Sequence, residues 1–155
     1  MKAHPAWRWA GLCLAIAVGA EALADEHHSR TQHLPAYKQE CASCHVAYPP
    51  GQLPAPSWQR LMANLPRHFG TDASLEPAQV KQLEAWLVRN AGTRRVQEPP
   101  PQDRITRSAW FVREHREVPS SAWQRAAIKS PANCAACHSG ADQGDFNEHT
   151  VRIPR

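Results

Sequence analysis

Apolar positions recur at helical rather than strand spacing along most of the chain. Trp58, Leu61, Met62 and Leu65 fall at i, i+3, i+4 and i+7, one face of a helix that Ser57 is suited to cap and Pro66 ends. A longer helix is predicted from Glu76 to Ala91, with Pro77 tolerated in its first turn and Gly92 closing it. Val80, Leu83 and Leu87 form its apolar face, with Trp86 alongside. A third helix is expected over Arg107 to Arg116, carrying Trp110, Phe111 and His115 and stopping before Pro119. Ser121 begins a fourth, with Trp123, Ala127 and Ile128 inward, and a further short helix is expected over Lys38–Val46. Little of the chain alternates with period two. The expected class is therefore mainly α with long irregular loops.

Those loops are visible in the composition. Among 155 residues there are 14 prolines against 7 glycines, which favours short elements joined by stiff connections. Pro49, Pro50, Gly51, Pro54 and Pro56 force an extended loop, and Arg94 to Asp103, with Pro99-Pro100-Pro101, is the best candidate link between two halves. Trp58-Gln59-Arg60 and Trp123-Gln124-Arg125 echo each other, but their order relative to neighbouring motifs differs, so the halves are not a tandem repeat. The net charge of +4 comes without a basic cluster, which argues against nucleic-acid binding.

The beginning of the chain follows a different rule. Lys2 and Arg8 precede an almost purely apolar run from Ala10 to Ala20, and Ala22-Leu23-Ala24 is a small-x-small cleavage site. This is the pattern of a secretory signal peptide over residues 1–24, too short for a spanning helix of about 20 apolar residues. The expected mature chain, 25–155, is exported to the periplasm without a membrane span.

Removal of that leader takes away Cys13 and leaves Cys41, Cys44, Cys134 and Cys137. All four fall in Cys41-Ala42-Ser43-Cys44-His45 and Cys134-Ala135-Ala136-Cys137-His138. Two cysteines three positions apart can each capture one vinyl group of a haem as a thioether. The histidine that follows is then placed beneath the iron, so CxxCH specifies attachment and ligation together. Structural zinc would not require a histidine after both pairs, and a redox or structural disulfide leaves both histidines unexplained. Two covalently attached haem c groups are expected, one in each of two small haem-binding lobes, 25–98 and 99–155. Pieces this small seldom bury enough apolar area alone, so the cofactors are expected to complete the core.

The second axial ligand separates an electron carrier from a gas-binding or catalytic haem. Met62 is the only methionine beyond the leader, and its place on an apolar stripe favours packing over ligation. Of the histidines outside CxxCH, His27 and His28 lie near the new terminus, His149 lies in a polar tail, and His33 stays open. His68, beside Phe69, and His115, after Trp110 and Phe111, are the favoured distal ligands. Arg67, Arg113 and Arg116 flank them, as propionate partners or as ordinary solvated arginines.

The chain resembles the dihaem cytochrome c family, DHC. The match runs through Glu40-Cys-Ala-Ser-Cys-His-Val-Ala-Tyr-Pro-Pro50, Ser57-Trp58 with Met62, His68-Phe-Gly70, Arg104-Ile-Thr106 and Trp110-Phe111 with Glu114-His115. It continues through Asn133-Cys-Ala-Ala-Cys-His138, Gly144-Asp-Phe146 and Ile153-Pro154. The resemblance implies two low-spin bis-histidine haems, with His45 and His138 proximal and His68 and His115 distal. It leaves open which distal histidine serves which haem. It also implies electron delivery to a small monohaem cytochrome of the oxygen-binding kind, from a membrane cytochrome b. The expected function is electron transfer without substrate chemistry; a dihaem peroxidase-like enzyme or a gas-binding cytochrome, each needing an open iron site, are the competing classes.

Overall fold

The computed structural model describes residues 34–94, 96 and 98–155. The expected leader, with Cys13, and the histidines His27, His28 and His33 lie outside the described residues. Four α-helices, α1 (Pro35–Cys41), α2 (Ala55–Met62), α3 (Pro77–Arg89) and α4 (Ala109–Glu114), are joined by single 3-10 turns and irregular loops. Among the described residues there is no strand, only an isolated bridge between His68 and Thr71. The mainly helical class is therefore observed. No helix among the described residues is long and apolar enough to cross a membrane.

Proline decides where helices start. It occupies the first or second position of α1, α2 and α3, where its missing N–H costs nothing and its fixed φ suits the helix. Hence α2 starts at Ala55, with Pro54 at the cap, and Ser57 is a buried first-turn residue rather than the expected cap. The helix expected over Lys38–Val46 ends at Cys41, and the remainder of that motif is turn and extended chain. The fourth expected helix is only a 3-10 segment, Ser120–Gln124, after which Arg125 turns extended and Ala127 is exposed. No side chain caps this segment at Pro119, and the extended backbone at Arg125 ends the helical hydrogen-bond run before Ile128 can join it.

The main core lies where α2 packs on α3. Leu53, Leu83 and Leu87 are each about 1% exposed, beside Tyr37, Trp58, Met62 and Leu65. Each such leucine contributes about 1.5–3 kcal/mol over its exposed state. The buried Trp58 indole donates to the Pro50 carbonyl at 2.8 Å, so the proline loop is held under α2. Gly92 does not cap α3; Asn90 does, its side chain donating to the Trp86 carbonyl. Gly92 instead lets two backbones meet. Its N–H donates to the Leu53 carbonyl at 2.8 Å, and a Cβ there would overlap the Gly51 carbonyl oxygen.

Several contacts join the two halves of the chain. The Tyr48 hydroxyl donates to the Ala132 carbonyl at 2.9 Å and the Trp110 indole to the Gln52 carbonyl at 3.2 Å. Arg60 pairs with Asp103 through two hydrogen bonds of 2.9 and 2.6 Å. Within the stretch expected to link the halves, Val96 and Pro100 are buried.

Candidate haem sites

The first CxxCH begins at the last residue of α1, which presents Cys41 half-buried and then turns so that His45 faces inward. The His45 Nδ1–H donates to the Val46 carbonyl at 2.7 Å, leaving Nε2 as the lone-pair nitrogen. Tyr48 stacks on the same ring, with centres 4.7 Å apart and planes 20° apart. Opposite stands His68, delivered by the 3-10 turn Leu65–Arg67, its backbone N–H donating to the Leu65 carbonyl. The chain then reverses through Phe69 (φ 50°) and Gly70 (φ 97°); only the glycine adopts that geometry without steric cost. The His45 and His68 ring centres are 6.2 Å apart, with planes at 30°.

The second site uses the same chemistry on a different scaffold. Cys134–Ala136 is a 3-10 turn, and the His138 N–H donates to the Cys134 carbonyl at 2.8 Å. His115 is the C-terminal cap of α4, and its Nδ1–H donates to the Phe111 carbonyl at 2.9 Å. The Phe111 ring stacks on it at 4.0 Å and 20°, with Trp123 at 5.9 Å behind. His138 lies 5.4 Å from Phe146, and the His115 and His138 ring centres are 6.1 Å apart with planes at 73°. The tail crosses this site, with the Arg152 N–H donating to the Cys137 carbonyl and Arg125 donating to the Pro154 carbonyl.

Each pair borders a cavity, of about 830 Å³ at the first site and about 520 Å³ at the second. Ile105, Asn133 and Cys134 line both, so residues from two separate stretches of the chain lie between them. Met62, 7% exposed, belongs to the core and also reaches the first cavity. His149 is exposed at the rim of the second. Arg67 donates to Asn64, and Arg113 pairs with Glu114. The guanidinium that lines the first cavity is Arg104, 4.3 Å over the Phe69 ring.

Burial keeps these groups neutral. It lowers the pKa of His68, helped by His45 and Arg104, and that of His138, helped by His115 and opposed by Asp145. Both rings therefore offer unprotonated nitrogen at neutral pH. Burial pushes the Cys41 and Cys134 thiols up to about 11, so both are uncharged thiols there.

This arrangement fits haem on several counts. Metal–imidazole bonds of about 2 Å, with roughly 1 Å from each ring nitrogen to its ring centre, put two trans rings about 6 Å apart. Both pairs have that spacing. The Nδ1 atoms of His68 and His138 are buried and unpartnered, one in each pair, a deficit that a bound group can relieve. All four cysteines are free thiols. Among the described residues no three His, Cys, Asp or Glu side chains converge on a bare-ion site, so the donors suit a planar cofactor better than zinc.

The model of the dihaem cytochrome c family, DHC, matches residues 37–146, which contain all four cysteines and both histidine pairs. The chain belongs to this family. Two solved members are similar over about three quarters of this chain. A diheme cytochrome c from Shewanella baltica OS155 is 40% identical, covers 77% of this chain and 92% of its own, and superposes with a TM-score of 0.68. DHC purified from Rhodobacter sphaeroides is 46% identical over 73% of this chain and 96% of its own, with a TM-score of 0.64. No curated protein matches. Membership of the dihaem cytochrome c family implies two haems, and the two cavities lie beside the two CxxCH motifs.

Which histidine faces which was open in the sequence; the structure sets His45 against His68 and His115 against His138. Tyr48 and Phe146 entered the sequence reading only as parts of family motifs, with no role for their rings. Tyr48 carried one usable signal, an aromatic three residues after the histidine of CxxCH.

Proposed function

We propose that this protein is a periplasmic c-type cytochrome that transfers electrons through two low-spin, bis-histidine haems and performs no substrate chemistry. The observation that carries the reading is the pair of imidazole couples, each spanning about 6 Å beside its own CxxCH motif. In this reading Cys41 and Cys44 hold one haem as thioethers and Cys134 and Cys137 the other. His45 with His68, and His115 with His138, supply the axial nitrogens. Each haem, when bound, supplies a one-electron ferric–ferrous couple.

The chain's own work is positional. The carbonyls of Val46 and Phe111 fix the tautomers of His45 and His115, so that Nε2 is the donor. With both haems bound, the four imidazoles would fill every axial position and leave no place for peroxide or a gas. Ligands held by short turns and stacked rings move little when an electron arrives. Arg104 brings a positive charge to the rim of the first cavity.

The remaining parts of the reading rest on the leader pattern of residues 1–24 and on what likeness to the dihaem cytochrome c family implies. Residues 1–24 serve as a cleavable export signal, and haem attachment completes two lobes, 25–98 and 99–155. The acceptor is a small monohaem cytochrome of the oxygen-binding kind, and the donor is a membrane cytochrome b. The purified protein should have the mass of residues 25–155 plus two haems and keep its colour through acidified organic extraction. Its reduced spectrum should not change under carbon monoxide. Colour lost to the solvent would overturn covalent attachment, and carbon monoxide binding would turn the reading toward an open-site peroxidase or gas binder. Failure of the reduced protein to pass electrons to a high-spin monohaem cytochrome would remove that partner.

A further inference from the structure

In each histidine pair one ring is held on two sides. In the first pair it is His45, bonded through Nδ1 to Val46 and stacked on Tyr48. In the second it is His115, bonded through Nδ1 to Phe111 and stacked on the Phe111 ring. The held ring thus belongs to CxxCH at the first site and lies outside it at the second. The outcome differs too: the planes meet at 30° in the first pair and 73° in the second. Tyr48 is itself anchored at both ends. Its hydroxyl donates to the Ala132 carbonyl, and its own carbonyl accepts from the Tyr37 hydroxyl, each at 2.9 Å.

The angle has an electronic consequence. An imidazole donates π density perpendicular to its plane. Two near-parallel rings donate into the same metal d orbital, and they stabilise the ferric state whose unpaired electron occupies it. Two near-perpendicular rings divide their donation between two orbitals and stabilise that state less. Ring orientation is therefore a lever on potential besides ligand identity.

We propose that Tyr48 is a positioning residue that keeps His45 near-parallel to His68 and so holds the midpoint potential of the first haem down, while the Phe111 clamp leaves the second pair near-perpendicular and electronically distinct. This rests on the bis-histidine reading.

Electron paramagnetic resonance of the oxidised holoprotein should resolve two low-spin signals, one rhombic from the first site and one with a large maximum g value from the second. Tyr48→Leu removes the stack. It should displace the rhombic signal alone and raise one midpoint, so that the oxidised-to-reduced ratio of that haem falls several-fold at a fixed potential. Tyr48→Phe keeps the stacked ring and the Tyr37 bond to its carbonyl, losing only the hydroxyl bond to Ala132, and should bring both readouts back toward wild-type values. If the leucine variant takes up fewer than two haems, Tyr48→Met gives the same comparison, and the wild-type spectrum decides independently of either. Two large-g signals in the wild type would overturn the inference. So would a Tyr48→Leu protein with wild-type signals and midpoints, or a Tyr48→Phe protein displaced as far as the leucine variant. A wild type that is high-spin or binds carbon monoxide would instead overturn the bis-histidine reading itself, and this inference with it.

Discussion

A histidine with one nitrogen bonded to a carbonyl presents the other as a lone pair, and His45 and His115 are both in that state. Their partners His68 and His138 are kept unprotonated by burial instead. Loss of a distal ring should then convert one site without touching its counterpart. In His115→Ala, half of the haem should become high-spin and carbon monoxide should bind once per chain, read by difference spectroscopy of the reduced protein. In His68→Met, a thioether replaces an imidazole, and a redox titration should show one midpoint raised and the other unchanged. At this scale the sequence was informative because covalent attachment demands particular residue types at fixed spacing. The aromatic clamps obey no such rule: Tyr48 acts through a stack and a bond to Ala132, a residue distant in sequence.

The elements that present these rings are short, so their ends matter more than their middles. Helix α4 spans only Ala109–Glu114, well below the length at which a helix is stable alone. Ser108 starts it, accepting from the Phe111 N–H at 3.2 Å and donating to the Ile105 carbonyl at 2.7 Å, and it is buried. Ser108→Ala should destabilise the holoprotein by about 1 kcal/mol, measured by denaturant unfolding followed at the haem absorption band. Gly92 poses the opposite problem, since an added methyl has nowhere to go against the Gly51 carbonyl. Gly92→Ala should cost about 1–3 kcal/mol and lower the melting temperature by several degrees. Periodicity located α2, α3 and α4 to within a few residues. It overestimated the segment after Ser120, where apolar spacing existed without a capping side chain and the backbone turns extended at Arg125.

Across the whole molecule, few polar contacts hold the halves in register. The Arg60 guanidinium beside Asp103 holds that carboxyl below the usual carboxylate range. A carboxyl whose pKa is lower folded than unfolded stabilises the protein above its unfolded value, about 3.9. That stabilisation is lost as pH falls through the folded value. Asp103→Asn should therefore be less stable than wild type at neutral pH, and the difference should close as the pH falls below the ordinary carboxylate range, as read by unfolding at neutral and acid pH. Asp103 has φ 54°, a left-handed conformation that asparagine also tolerates, so the substitution tests the charge rather than the backbone. The wall of Ile105, Asn133 and Cys134 shared by both cavities is a property of the same scale.

The sequence by itself determined the chemistry and the class of fold. Thiol pairs followed by histidine state their purpose locally, and abundant proline with helical spacing leaves room only for short helices and stiff loops. It also limited the candidate distal ligands to a few, because Met62 is the only methionine besides Met1. Tertiary structure alone decided which of those candidates faces which motif. That outcome depends on a left-handed reversal after His68, on α4 ending at His115, and on how the two halves are placed. It also set the ring planes at 30° and 73°, since an orientation imposed by stacking and backbone carbonyls is a sum of weak contacts between distant residues. Such contacts leave no spacing in the chain to be read.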